Sequence, residues 1–276
     1  MLQANQTAVE VPDDYRGTIY RAPVGRELAG PLVRFLGHKG QPWLADFEAR
    51  LAGDGLDLFA VAFSGSQPAA HAWLGSSHAC TESALIGHVY TAEEHRRRGL
   101  AASLLAGLLS RFDEWGGRWV QLRTSNEAAA RLYGRLGFHV ILETQEGPTK
   151  RHWVMLRGGA AEGGVGQAYH ESSGRWQVEA CGRTHGASLC VFLSAVPGRG
   201  KLPALGLDDG GDAELKLLHA YEAQERGECR CSVLLDAANG RPHGLACLRS
   251  GRAELYAPRV GEEVRRMLAE RAAASP

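Results

Sequence analysis

Apolar and polar residues along this chain fall into blocks short enough to be read one element at a time. After a polar lead-in over residues 1 to 16, Thr18 to Arg21 predicts a first strand. Glu27 to Leu36 and Trp43 to Leu51 predict two helices, separated by Gly37 and Gly40. In the second, Leu44, Phe47, Glu48 and Leu51 share a face, and Pro42 sits at the start, where a missing N–H costs nothing. Three mostly apolar runs, Asp57 to Ser64, Pro68 to Gly75 and Ala84 to Thr91, predict strands, with a turn at Gly65-Ser66. Ala101, Leu104, Leu105, Leu108, Phe112 and Trp115 recur at spacings of three and four, so a long helix presents one apolar stripe until Gly116-Gly117 stops it. Trp119 to Arg123 predicts a further strand. Ala129, Leu132, Tyr133 and Leu136 form the inner face of a helix that Ser125 or Asn126 caps and Gly137 closes. His139 to Thr144 and His152 to Arg157 predict a hairpin turning at Gly147-Pro148.

The pattern then breaks. Gly158 to Gly166 is rich in glycine and almost featureless, which divides the chain into residues 1–157, a linker over 158–169 and a second unit over 170–276. In that unit Trp176 to Cys181 and Ser188 to Ser194 predict strands. Ala213 to Arg226 predicts a helix with Leu215, Leu218 and Tyr221 inward. Cys231 to Asp236, His243 to Arg249 and Arg252 to Ala257 predict a meander with a hairpin turn at Asn239-Gly240, and Val260 to Ala273 a final charged helix. The fold class is α/β with a mixed sheet, followed by a smaller α+β domain. A degenerate copy of the first half is one reading of that domain, although no repeat can be demonstrated in the residues themselves.

Composition narrows the function. Thirty-one basic and 31 acidic residues cancel, which argues against a bulk nucleic-acid binder and makes any cluster of arginines a local device. No run is long and apolar enough for a membrane span, the N-terminus lacks a signal-peptide core, and six cysteines in 276 residues do not suggest a secreted disulfide scaffold. The expected location is cytoplasmic. Cys229-x-Cys231 with His243 and Cys247 hints at a metal site, but the spacing is tight and the residues fall in apolar strands. Buried free thiols are the simpler expectation, with no metal.

The most informative stretch joins the strand Ala84 to Thr91 to the long helix through Arg96-Arg97-Arg98-Gly99-Leu100-Ala101. The first turn of a helix carries free N–H groups and partial positive charge, glycine lets an anion approach the backbone, and arginines add forked donors: together a place to hold phosphates. The spacing Arg-x-x-Gly-x-Ala resembles the pyrophosphate loop of the GNAT family of N-acetyltransferases, and Val89-Tyr90-Thr91 resembles its lead-in. A second segment, Asn126-Glu127-Ala128-Ala129-Ala130-Arg131-Leu132-Tyr133 followed by Leu136-Gly137-Phe138, is similar to that family's Asn-x-x-Ala-x-x-Leu-Tyr-x-x-x-Gly-Phe pattern, in the same order along the chain. The two motifs cover residues 84–140, and the flanking strands extend the resemblance to about 17–157.

The resemblance implies an acetyl-CoA-dependent N-acetyltransferase with the GNAT acyl-CoA N-acyltransferase fold. Acetyl-CoA would be the co-substrate and a primary amine of a small molecule or an aminoacyl-type acceptor the partner, attacking directly in a ternary complex. A homodimer would be common for such a family. The resemblance places the backbone of Val89, Tyr90 and Thr91 opposite the thioester. It places the pyrophosphate at Arg96, Arg97, Arg98, Gly99, Leu100 and Ala101, and Asn126 and Tyr133 at the cofactor, Tyr133 near the sulfur as general acid. For the residues taken alone, Asn126 is equally a helix cap and Tyr133 a packed aromatic. Freeing a lysine-like amine of pKa about 10.4 at pH 7 costs roughly 4–5 kcal/mol, whereas protonating a thiolate of pKa about 8.5 is worth only about 2 kcal/mol, so the base carries the larger burden. His88 is a candidate for it, beside Glu82, Tyr90 and a chain of waters, and the sequence leaves these open. A non-catalytic acyl-CoA sensor is the alternative from another class. A protein N-acetyltransferase whose C-terminal domain binds the partner is a third reading.

Overall fold

The computed structural model describes residues 5–53, 55–146, 150–158, 164–169, 171–195 and 212–274. In the first unit the order is β1 (Gln6–Val9), β2 (Arg16–Arg21), α1 (Arg26–Phe35), α2 (Trp43–Ala52), β3 (Leu56–Ser64), β4 (Gln67–Ser76), β5 (Ser83–Thr91), α3 (Leu100–Glu114), β6 (Trp119–Thr124), α4 (Glu127–Arg135), β7 (His139–Glu146) and β8 (Lys150–Arg157). The strands form one sheet in the order β1-β2-β3-β4-β5-β6-β8-β7. From residue 5 onward the polar lead-in is thus not loose. Val9 lies across α3, where a side chain on Gly107 would come within 2.3 Å of it, and β1 pairs with β2 from Gln6–Tyr20 to Val9–Gly17. The hairpin turn expected at Gly147-Pro148 lies outside the described residues.

Leu104, Leu105, Leu108 and Phe112 of α3 pack with Leu58, Ala72, Ile86 and Leu122 on one face of the sheet, and Tyr133 of α4 joins them. On the opposite face, Leu32, Leu36, Phe47 and Leu51 of the first two helices meet Phe59, Val61 and Trp73.

The segment read as a linker holds a short helix, α5 (Gly164–Ala168), and the second unit contains β9 (Trp176–Ala180), α6 (Gly186–Ala195), α7 (Ala213–Glu225), β10 (Cys229–Asp236), β11 (Pro242–Arg249), β12 (Arg252–Tyr256) and α8 (Glu262–Ala273). Its strands run β12-β11-β10-β9, all antiparallel. Strand, two helices, three-strand meander and helix is also the order of β2, α1, α2, β3, β4, β5 and α3. As in the first unit, the last helix covers one face and the helix pair the other.

The segment expected as a strand at Ser188 to Ser194 is the helix α6. It packs on β4, β5, β6 and β7 of the first sheet and on β11 of the second. A helix clamped between two sheets is apolar all round, and such a run has no periodicity to separate it from a buried strand. Leu189, Cys190, Val191 and Phe192 therefore share a continuous core with Trp119 and Leu156 of the first unit and Leu217, Val233 and Leu245 of the second. Polar contacts also cross. Arg183 reaches Asp46 at 2.7 Å, Arg241 reaches Glu82 at 2.8 Å, and Arg123 pairs with Asp212 at 2.5 Å. Gly240, with a φ of 69°, lies so close to Ala79 that a Cβ would fall 1.5 Å from its carbonyl oxygen.

Two features of β5 open the sheet at one place. It pairs with β6 in parallel only over Ser83–Trp119, Ala84–Val120 and Leu85–Gln121, after which the strands part. Two residues later a bulge puts an extra residue on β5, with His88 at a φ of 52°. The His88 carbonyl accepts from His71 Nδ1 at 3.0 Å, and both rings lie beside Phe47. Burial drives His88 to about 3, aided by its neighbour His71 and by Lys39. Burial also drives His71 to about 4, against its bond to the His88 carbonyl.

Two outcomes are expected. A chain ending at Arg157 uncovers Trp119, Leu156 and Leu85 and should self-associate or melt well below the full chain; size exclusion with thermal unfolding would show the opposite if the units were independent. Both histidine values lie below the ordinary 6.5. Stability should therefore be full above that pH and fall in acid, by up to about 1.4 kcal/mol per pH unit for each histidine, as the unfolded chain takes protons the folded one refuses. Urea midpoints at several pH values would test this, and His71→Gln or His88→Gln should flatten the slope.

Candidate active site

The loop between β5 and α3 is built to leave backbone donors free. Arg97 and Gly99 take positive φ values of 64° and 82°, and Gly99 is the residue before the helix. No atom of the chain lies within 4 Å of where a Gly99 Cβ would be, so within the chain itself it is the left-handed turn that calls for glycine. Among the described residues the N–H groups of Arg97 to Ala101 have no hydrogen-bond partner. α3 has no acidic residue in its first turn, and Leu104 and Leu105 anchor it to the sheet. An open row of amides at a fixed helix start is an anion site in waiting. The three arginines differ. Arg96 is spent inside the loop, with Nε on the Thr91 carbonyl at 3.1 Å and a guanidinium N–H on Glu93. Arg97 and Arg98 are exposed and form no ion pair among the described residues. His95, at the back of the loop, meets the Tyr15 hydroxyl at 2.9 Å.

Asn126 caps α4, its side chain accepting from the Ala129 N–H at 3.1 Å. Tyr133, two turns on, is 6 % exposed, edge-on to Phe138, and packed in the cluster that holds Leu100 and Ile86. Burial pushes its phenol up to about 12, so it keeps its proton at neutral pH.

On the other face, where β5 and β6 part, lies a cavity of about 760 Å³. Ile86, Gly87 and His88 line it from β5, Arg123, Thr124 and Ser125 from β6 and the turn after it, and His38, Lys39 and Trp43 from the α1–α2 connection. Lys150 and His152 of β8 and Asp212, Glu214, Leu215 and Lys216 of the second unit complete the lining. Of the residues expected from the sequence, only His88 lies in this wall. Tyr90 shares its side of the sheet, its ring 4.1 Å from that of His38. Val89 packs with the α3 cluster on the reverse side, and Thr91 contributes its carbonyl to Arg96. Glu82 is held by Arg118 and Arg241 and is not part of the cavity.

The acids and bases around the cavity divide by partner. Asp46 accepts from Arg50 and Arg183, and Asp57 from Arg50 and Trp73 Nε1. Asp212 is doubly engaged, by Arg123 and by the Leu215 N–H that it caps. His88 leaves its Nδ1 without a partner, but at about 3 its imidazole is a poor base. Glu214 is the remaining carboxylate; among the described residues it has no hydrogen-bond or ion-pair partner. Sequence reading missed it, since it lies well beyond either motif and only the packing of the second unit brings it to β5.

The cysteine pattern is assembled in part. The sulfurs of Cys229, Cys231 and Cys247 lie within 4.8 Å of one another, all buried, and Cys229 donates to the Ala220 carbonyl at 3.4 Å. His243 is not with them; it packs against Trp176 and Tyr169.

The model of the acetyltransferase (GNAT) family matches residues 30–138, a span that includes the arginine loop and α4. No curated protein matches the chain. Among solved structures, an acyl-CoA N-acyltransferase from Pseudomonas aeruginosa is 22% identical, with 52% of this chain and 99% of that one covered at a TM-score of 0.44. Escherichia coli ElaA is 18% identical over 52% and 99%, also at 0.44. NAA60 of Arabidopsis thaliana, solved with acetyl-CoA, is 16% identical over 51% and 98% at 0.42. Likenesses this distant carry no argument about activity; the family model does. Residues 30–138 form an acetyltransferase domain of the GNAT family, a family of acyltransferases.

Proposed function

We propose that this protein transfers an acetyl group from acetyl-CoA to the primary amine of a small molecule or aminoacyl-type acceptor, by direct attack in a ternary complex. One observation carries the reading: the gap between β5 and β6 separates an open row of helix-start amides on the α3 side from a cavity on the other. In this reading the pyrophosphate lies on the amides of Arg97 to Ala101, with Arg97 and Arg98 over it. The backbone of Val89 to Thr91 faces the thioester, where an N–H can stabilise the developing oxyanion. Tyr133, protonated at neutral pH, supplies the proton to the leaving thiolate. Asn126 holds the start of α4 and so aims Tyr133.

A volume of about 760 Å³ suits a compact acceptor. Because the second unit supplies part of the wall, a small substrate fits this arrangement better than a protein whose binding is left to a separate domain. No helix among the described residues is long and apolar enough to cross a membrane, and six buried free cysteines accord with the reducing cytoplasm as its location.

Calorimetry with coenzyme A and thiol-release assays over an amine panel test the proposal. Tight binding with turnover is expected. Binding without thiol release for any amine would mark a sensor instead, and no binding would remove the pyrophosphate assignment. Tyr133→Phe should lower kcat by about ten- to a hundredfold while acetyl-CoA affinity stays within about twofold, because a thiolate needs less help leaving than an amine needs in attacking.

A further inference from the structure

We propose that the second unit supplies the general base of this reaction: Glu214, at the start of α7, takes the proton from the acceptor ammonium in the cavity between the units. The inference rests on the acetyltransferase reading and adds the residue that the motifs do not contain.

Glu214 lines the cavity beneath the parting of β5 and β6 and lies over Gly87, where one carboxylate oxygen would be 3.9 Å from a Cβ. Gly87 precedes the bulge at His88, so the carboxylate stands beside the strand that faces the thioester. The carboxylates of Asp46, Asp57, Asp212 and Glu82 are all committed to arginines. That of Glu214 alone, among the described acids of this cavity, is left for a ligand. Around it stand Asp212 on its own helix, Arg50 and Asp46 on α2, Arg123 on β6, Lys39 from the α1–α2 connection, Cys190 on α6 and His88 on β5. Burial, then the Asp212 charge, pushes Glu214 up to about 8, with Arg50 and Arg123 opposing. A base near 8 is matched to an amine far better than an ordinary carboxylate near 4.3, because proton transfer between groups of similar pKa is nearly balanced.

Each proton and bond has a place to go. The Glu214 carboxylate takes one proton from the ammonium and passes it to solvent. The freed nitrogen attacks the thioester carbon, and the C–N bond forms. Collapse of the tetrahedral adduct breaks the C–S bond, Tyr133 protonates the thiolate, and the second nitrogen proton returns to the phenol through solvent. Lys39 and Lys216 line the same cavity without an ion pair among the described residues, which selects acceptors that carry a carboxylate besides the amine, as an amino acid does.

The test uses the full chain. Wild type should show kcat/KM for the amine rising with pH to a plateau through an apparent pKa near 8. Glu214→Gln, nearly isosteric, should lose about a hundredfold or more in kcat/KM and lose that limb, with acetyl-CoA affinity within about twofold; Glu214→Asp should keep the limb at reduced rate. An amino acid should outperform its amide in KM, and Lys216→Ala should narrow that difference. Wild-type rate and pH profile in Glu214→Gln would overturn the assignment while leaving the transferase reading intact. Equal KM for amino acid and amide would overturn the acceptor class. A wild type that releases no thiol with any amine from about pH 6 to about pH 10 would remove both readings together.

Discussion

α6 lies between two sheets, and the rest of the molecule depends on that burial. Leu189, Val191 and Phe192 leave no face of this helix for water, so the first sheet cannot be separated from the second without exposing the middle of a core. The consequence reaches the cavity where β5 and β6 part. With α6 fixed against β5 and β6, the neighbouring α7 is held with its first turn under the place where those strands part. A carboxylate from residue 214 thereby becomes a neighbour of residue 87.

A ring of buried charge surrounds this junction. Arg50 lies under Trp73 and holds both Asp46 and Asp57, while Arg183 reaches in from the second unit to the other oxygen of Asp46. Asp46 ends below its ordinary value although burial opposes it, because two guanidinium groups face it. Asp57 ends above, burial outweighing its single shared arginine. Paired groups of this kind hold geometry more than they add stability, since each ion has already given up water. Here they fix α2, β3 and the entry to α6, and among the described acids around the cavity Glu214 is the one they leave without an arginine partner.

The second unit has the element order of the first but not its chemistry. Where α3 begins with free amides and arginines, α8 begins after Gly261 with Glu262 and Glu263, whose charge repels a phosphate, and the nearby Arg259 is turned to the Gly166 carbonyl. Its strands are also paired antiparallel throughout, with no parallel pair to splay. It contributes a wall to the cavity and, in our proposal, a base to a site whose cofactor half would lie in the first unit.

The sequence by itself determined most local elements and the two motifs that carry the family resemblance. Period and turn residues suffice where a helix has one wet face, as α3 and α4 do, or where a strand is bounded by glycine and proline. A loop such as Arg96 to Ala101 is legible because the pattern it resembles is written in consecutive residues. It did not determine α6, whose all-apolar run has no period to read, nor β1, whose four residues become a strand only when Gly17 and Gly107 let them approach. Nor did it reveal Glu214. A base is defined by what surrounds it, and an acidic residue in the first turn of a helix looks the same whether it faces water or a cavity. Only the tertiary packing, through a helix shared by two sheets, half-buried it, left it without an ion pair among the described residues and set it beside the parted strands.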